Sequence, residues 1–367
     1  MLLGVEVCAQ ILKAEIIKGP PGSPCAQNTS LGWILFGKIQ AQTSEEQILV
    51  MHHKLNLDEI LKSMWEVETD AQGKLTKEEE DCERIYKETY IRNSEERYIV
   101  KLPFKTENPQ SPHGNTKGGA INRLFHLERR FMKNDDLRKE YTKAINEYKV
   151  MKHMEEVPSD ESNKPAVYLP HHAVVKEESE TTKVRPVFDA SHRGSNNVAL
   201  NDELLVGPQL QEDMRSLVMR WRLKKIAFVA DIQKMYRQIL VSKEDADYQR
   251  IVWRNSPNEP VKEYRLLRVT FGTACAPYLA VKTLHQVAND EGENHPVAAD
   301  TIRQDFYMDD LMSGQDTVPE AVGVAKDVKA ILERGGFTVQ KWASNNSDFL
   351  REFHPVELSS HVNIDIK

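Results

Sequence analysis

From Lys164-Pro165 to Gln340 the chain alternates short apolar runs of strand length with segments of helical period. That alternation limits the fold more than any other feature, because strands with apolar faces must be covered by the helices between them. It predicts an α/β or α+β domain of ordinary size. The stretch reads as a hairpin (173–176, then 184–189), a helix over 209–223, a strand over 226–231, a short helix around Met235, and strands near 249–253 and 263–270. A helix from Ala276 to about Ala288 and a strand-turn-strand around Tyr307 follow. A last helix over 319–334 has Ala321, Val324, Val328 and Ile331 on one face and Gly335-Gly336 as its stop.

Upstream the pattern differs. "LLGVEVCAQIL" to "LGWILFGKI" is broken by Gly19-Pro20-Pro21-Gly22 into short strands and turns, like the tail of an all-β unit. From about Gln47 to Arg92 the chain turns helical, with Thr76 and Glu79 spaced as a capping box. "ERYIVKLPF" reads as a strand, and "KTENPQSPHGNTKGGA" as an exposed loop that places a linker or boundary around 105–119. Two amphipathic helices follow, lined by Leu124, Leu127 and Phe131 and by Tyr141, Ile145 and Tyr148, with Asn134-Asp135-Asp136 between them.

At 367 residues the chain exceeds one compact core, so two or three domains, or one with flanking pieces, are expected. Its net charge of −7 gives no global basic field, so any nucleic-acid contact needs a local basic groove. Cys8, Cys25, Cys82 and Cys275 lack zinc-ligand spacing, which points to free thiols in a reducing compartment. The N-terminal apolar runs are interrupted by Glu6, Lys13 and Glu15, and nothing marks secretion or membrane insertion.

Asp309 and Asp310 lie side by side near a turn in "RQDFYMDDLMSGQ". Adjacent carboxylates suit a solvated turn, where aspartate bonds its own backbone, and equally a divalent-metal site. A third carboxylate, Asp231, ends the buried-looking strand of "KKIAFVADIQKMYRQIL". If the fold joins the three, their repulsion requires cations. Hard oxygen ligands select Mg²⁺, and two ions about 3.5–4 Å apart can clamp an in-line phosphoryl transfer.

"KVRPVFDAS" (183–191), "ADIQKMYRQI" (230–239), "TFGTACAP" (270–277) and "YMDD" (307–310) occur in the order and spacing of retroelement reverse transcriptases. More closely, "LNDELLVGPQLQEDM", "APYLAVKTLHQ" and "GGFTVQKWASN" resemble BEL/Pao-type long-terminal-repeat retrotransposon polyproteins. "LLGVEVCAQIL" to "LGWILFGKI" is similar to the end of their aspartic-protease domain and "RYIVKLPFK" to their linker, so the resemblance covers essentially the whole chain.

The resemblance implies an α+β right-hand polymerase, fingers and a ferredoxin-like βαββαβ palm over 161–345. A β-rich protease remnant at 1–42 and a mostly helical linker at 43–160 precede it, and 346–367 begins a thumb or connection. Asp231 and Asp309 match the metal-bridging aspartates, with Asp310 nearby, and Asp231, Ile232, Asp309 and Asp310 form the implied metal site for two Mg²⁺ ions, with Mn²⁺ as a substitute. Substrate contacts are implied for Lys183, Arg185, Tyr236, Phe271, Gly272, Tyr307 and Met308. Tyr236 matches the steric gate against a ribose 2′-OH; a core tyrosine is the other reading. Gly272, followed by Pro277, matches the position where backbone approaches the incoming nucleotide, and Phe271 stands where many retroviral enzymes carry glutamine. Lys183 and Arg185 share one strand face and could meet triphosphate oxygens, although the neighbouring glutamates of "KEESE" would repel them; a solvated strand face is the alternative. Lys341 matches a late lysine near the leaving pyrophosphate.

RNA template, DNA primer and deoxynucleotides are thus the implied partners of an intracellular, cytoplasmic protein, free or in virus-like particles, with no membrane. Proteolysis is not expected, since no D-T-G or D-S-G triplet occurs. The chain reaches Lys367 soon after the implied palm, so a truncated, inactive remnant serving as a folded interaction module is the competing expectation.

Overall fold

The computed structural model describes residues 10–20, 24–30, 32–36, 75–175 and 184–363. The chain divides into two compact units, Met1–Gln72 and Gly73–Lys367. In the first, Leu12–Lys18, Cys25–Thr29 and Gly32–Phe36 form a three-stranded antiparallel sheet, in keeping with the short-strand reading. The helical expectation for 47–74, the glutamate-rich loop at 176–180 and Lys183 lie outside the described residues.

The second unit is α+β. Its largest sheet orders Phe306–Tyr307, Asp310–Gln315, Ile226–Ile232, Val339–Ser344 and Leu358–Asn363, with antiparallel neighbours except for the last pair. Counting its first four strands and the helices Ala276–Glu291 and Val318–Arg334, the chain order is strand, helix, strand, strand, helix, strand, with the short helix Met235–Gln238, three further strands and the helix Pro296–Gln304 also lying between Ile226–Ile232 and Phe306–Tyr307. Alternation assigns the two faces of the sheet. Phe228, Ala230, Ile232 and Leu311 are buried in the core that also takes Leu284, Val287, Val328 and Ile331. Val229, Asp231 and Met312 stay half-exposed on the other face.

A second layer is built on aromatics. The helices Lys117–Lys133 and Asp135–Val150 pack Phe131 and Tyr141 against Trp253, in the three-stranded sheet of Arg250–Trp253, Lys262–Leu266 and Met154–Glu156. Each such burial stabilises by about 1.5–3 kcal/mol. His171, in the hairpin His171–Val175/Val184–Phe188, is wholly buried there. Its Nε2–H donates to the Val252 carbonyl at 3.0 Å and its Nδ1 accepts from the Tyr141 hydroxyl at 2.7 Å. Burial pushes its pKa down to about 4.

The helix Lys77–Thr89 carries the expected box: Thr76 Oγ1 accepts from the Glu79 amide while the Glu79 carboxylate accepts from the Thr76 amide at 2.7 Å. Tyr86 of this helix donates to Thr283 at 3.0 Å, tying it to the Ala276–Glu291 helix.

Some boundaries differ from expectation. The helix placed over 209–223 spans Met214–Arg222, because Gly207 takes φ +83°, Pro208 follows, and the chain runs without regular structure, bending at Gln211, to the extended cap Asp213. The strand placed at 263–270 ends at Leu266; beyond it the chain bonds two different segments, Leu267 N–H to His153 and Val269 N–H to Ile239. Ahead of the strand-turn-strand around Tyr307 stands a helix that was not expected, Pro296–Gln304, opened by its proline. The loop at 105–119 is only partly exposed: Thr116 is buried and its hydroxyl accepts from the Tyr168 amide at 2.8 Å, and the next helix already begins at Lys117.

Candidate functional site

The Ile226–Ile232 strand alternates apolar residues into the core until Asp231, whose side chain falls on the half-exposed face. Beside it runs the hairpin formed by Phe306–Tyr307 and Asp310–Gln315, closed by the two-residue turn Met308-Asp309. Register places Asp310 directly across from Asp231. The turn is pinned by the Ile232 amide, which donates to the Asp309 carbonyl at 2.8 Å. Met308 takes φ +56° there and Asp309 does not, a mirror-type turn that normally favours glycine at its first central position. Gln211 Nε2 donates to Met308 Sδ at 2.9 Å and Met308 rests against the core, which helps hold a conformation disfavoured for a side chain of this size. The structure thus brings Asp231, Asp309 and Asp310 to one end of the sheet. Ile232 is wholly buried, so anything it offers the site must come from its main chain.

Three carboxylates at one place raise one another's proton affinity. Burial, then the charges of Asp309 and Asp231, push the Asp310 carboxyl up to about 6, against the pull of Lys341. Asp309 is also raised, by burial and then by Asp231; a backbone hydrogen bond, Lys341 and Arg185 oppose the shift. Lys341, itself at φ +57°, sets its ammonium on Asp231 Oδ2 at 2.5 Å. Among the described residues no three His, Cys, Asp or Glu side chains form a ready-made cage for a metal ion.

Of the other expected residues, Tyr236 and Arg185 interact electrostatically with Asp309. Tyr236 lies on the short helix Met235–Gln238 with its ring 4.1 Å from that of Phe271. Burial and then the Asp309 charge push its hydroxyl up to about 12. Gly272 takes φ +107°, and a Cβ there would lie 2.1 Å from the Phe188 carbonyl oxygen. Arg185 is exposed on the strand ending at Phe188, and its charge is felt at Asp309. Tyr307 lies at the surface on the first strand of the hairpin, and Pro277 opens the Ala276–Glu291 helix.

Two features escaped the sequence reading. Asn201 clamps the glycine loop, donating to the Gly272 carbonyl at 2.9 Å and accepting from the Ala274 amide at 2.8 Å. Nothing in a single sequence marks that role. The other feature was legible as a charge run: "MRSLVMRWRLKK" (214–225) holds Arg215, Arg220, Arg222, Lys224 and Lys225. This stretch lies along the Asp310–Gln315 strand, where Trp221 Nε1 donates to the Phe228 carbonyl at 3.2 Å and Lys224 borders Gly314. Of these cations Arg215 pairs with Asp213 at 3.1 Å, and Arg220 pairs with Glu212 and, at 3.3 Å, with Asp305. No protein-family model and no curated protein matches this chain.

Proposed function

We propose that this chain is the fingers-and-palm part of an RNA-directed DNA polymerase of the BEL/Pao type, adding deoxynucleotides to a primer 3′-OH. The observation that carries the reading is the pairing of Asp231 with Asp310 beside the Asp309 turn. Support also comes from the strand-helix-strand-strand-helix-strand order of the central sheet, the arrangement expected of a ferredoxin-like palm.

The raised proton affinity of Asp309 and Asp310 marks negative charge that Lys341 and Arg185 do not balance, an environment suited to Mg²⁺ or Mn²⁺. Asp231 and Asp309 would hold the ions, with Asp310 and the main chain of Ile232 alongside. Bound there, divalent cations neutralise charge on the attacking and leaving oxygens of an in-line phosphoryl transfer.

The protein's own groups do the rest. Tyr236, packed on Phe271, fills the space a ribose 2′-OH would need. Gly272 lets the backbone approach the nucleotide because it has no Cβ. Arg185 meets triphosphate oxygens by charge-assisted hydrogen bonds. Lys341 restrains the Asp231 carboxylate. The basic stretch 214–225, beside the hairpin, fits the phosphates of an RNA·DNA duplex, whose A-form shape is read without base contacts.

A second reading, a folded remnant without turnover, is favoured by the Lys341 ammonium already seated on Asp231. Primer extension on an RNA template separates the two. The polymerase reading expects Mg²⁺-dependent incorporation that Asp309→Asn cuts by about a hundredfold or more; a remnant incorporates nothing in either version.

A further inference from the structure

Arg268 presents a guanidinium that the fold leaves unanswered: its Nε and Nη1 atoms are buried and neither has a hydrogen-bond acceptor. Buried donors without partners are uncommon in folded proteins, and a charged one calls for an acceptor more strongly than a neutral one. The neighbouring groups are cationic. Arg268 pairs its backbone with Leu240 through an isolated bridge, next to the short helix Met235–Gln238. That helix sends Arg237 over the Tyr148 ring at 4.0 Å and its Nε–H to His153 Nδ1 at 2.9 Å, while Gln238 accepts from Arg97 at 2.7 Å. The remaining cation, Lys234, precedes the helix.

The acids nearby do not balance this charge. Glu147 is shared by Lys234 at 2.6 Å and Arg237 at 2.8 Å. Glu95 is exposed and acts on Arg97 and Arg268 without touching either. The titration of the neighbours carries the same mark: His153 is pushed down to about 3, by burial and then by Arg237, Arg268 and Lys234. Arg268 itself is lowered to about 10, by burial and then by Arg97.

We infer that Arg268, with Arg97, Lys234 and Arg237 around it, forms a binding site for a phosphate group, separate from the carboxylate site. Both orphaned nitrogens belong to one guanidinium, a planar, always-charged set of donors that matches phosphate oxygens. The phosphate could be free or belong to a nucleic-acid backbone. The inference does not depend on the polymerase reading.

Calorimetric titration of the full chain with inorganic phosphate tests it, in chloride buffer of matched ionic strength and without divalent cations. Saturable binding is expected, with Arg268→Gln weakening it about tenfold or more, the scale of a charge-assisted hydrogen bond. If that variant fails to fold by circular dichroism, Arg268→Lys replaces it, keeping the charge and losing the planar fork of donors; it should bind several-fold more weakly than wild type. A short oligonucleotide that displaces phosphate identifies the source as a nucleic-acid backbone, and one that does not leaves free phosphate as the ligand. Absence of saturable binding to the wild-type chain, or undiminished binding by the folded variant, overturns the site.

Discussion

Asp231 and Asp310 face one another across an antiparallel ladder, and the neighbouring Asp309 accepts the Ile232 amide through its main chain. The three carboxylates are therefore positioned by backbone pairing, and the scaffold does not need their charge. Replacing Asp309 by Asn should leave the fold intact and relieve repulsion in the metal-free chain. Nucleotide incorporation should fall by about a hundred- to a thousandfold, the range seen when one preorganised electrostatic group is removed. Primer extension and thermal unfolding, run on the same preparation, check both halves. Mg²⁺ should also raise the wild-type melting temperature and raise that of Asp309→Asn less, since ligand binding to the folded state stabilises by mass action.

The Asp310 carboxyl carries a definite pH signature. Its pKa moves from an ordinary 3.8 to about 6 in the fold. Between those values the folded state holds a proton that the unfolded state has lost, so this group's contribution to stability falls as pH rises through the window. His171 works in the opposite sense: its folded value near 4 lies below the ordinary 6.5, so stability is lost as pH falls through that range. Comparing wild type with Asp310→Asn isolates the first effect. In metal-free buffer the variant should gain stability relative to wild type as pH rises from 4 to 6 and keep a constant advantage above, in denaturant titrations at each pH. A difference that does not change with pH would remove the carboxylate cluster from the account.

Tyr236 is held by a tilted ring contact with Phe271, and the Asp309 charge acts on its hydroxyl. A smaller side chain at 236 opens space beside the carboxylates without altering them. Tyr236→Val should therefore reduce discrimination against ribonucleotides by about ten- to a hundredfold, the selectivity that pocket shape alone can supply. Single-nucleotide incorporation of matched deoxy- and ribonucleotides measures it; unchanged discrimination would make Tyr236 a core residue.

Three of the five strands of the central sheet could be read from the chain, because they are short and bounded by turn residues, while Val339–Ser344 and Leu358–Asn363 were not expected as strands. The strand ending at Asp231 and the hairpin around Asp309 fall where the pattern put them. Which strands became neighbours could not be read, since Ile226–Ile232 pairs with segments far along the chain on both sides. Pairing of that kind is settled by tertiary packing, which a local window does not contain. For the same reason Asn201 looked like an ordinary loop residue until the fold set it against the Gly272 loop. The orphaned Arg268 could not be anticipated either, because an arginine's partners are a property of the assembled structure.

Gly272 brings its loop against the end of the strand that bears Arg185. Its φ of +107° lies where only glycine is comfortable, and the atom a new Cβ would strike, at 2.1 Å, is the Phe188 carbonyl oxygen. That oxygen is backbone, so it cannot swing aside as a side-chain end would. Gly272→Ala must either flatten the loop, breaking the Asn201 clamp on Gly272 and Ala274, or push the 184–188 strand outward and carry Arg185 with it. Strain of this kind costs about 1–3 kcal/mol, and the clash should place the result at the upper end. Urea unfolding should show that loss. The Michaelis constant for deoxynucleotide should rise as well, because both escape routes disturb nucleotide binding before they disturb the carboxylates. Asn201→Ala, which removes the clamp without adding an atom, should raise the same constant with a smaller loss of stability, and equal stability losses in the two variants would mean that the clamp, not the close approach, fixes the loop.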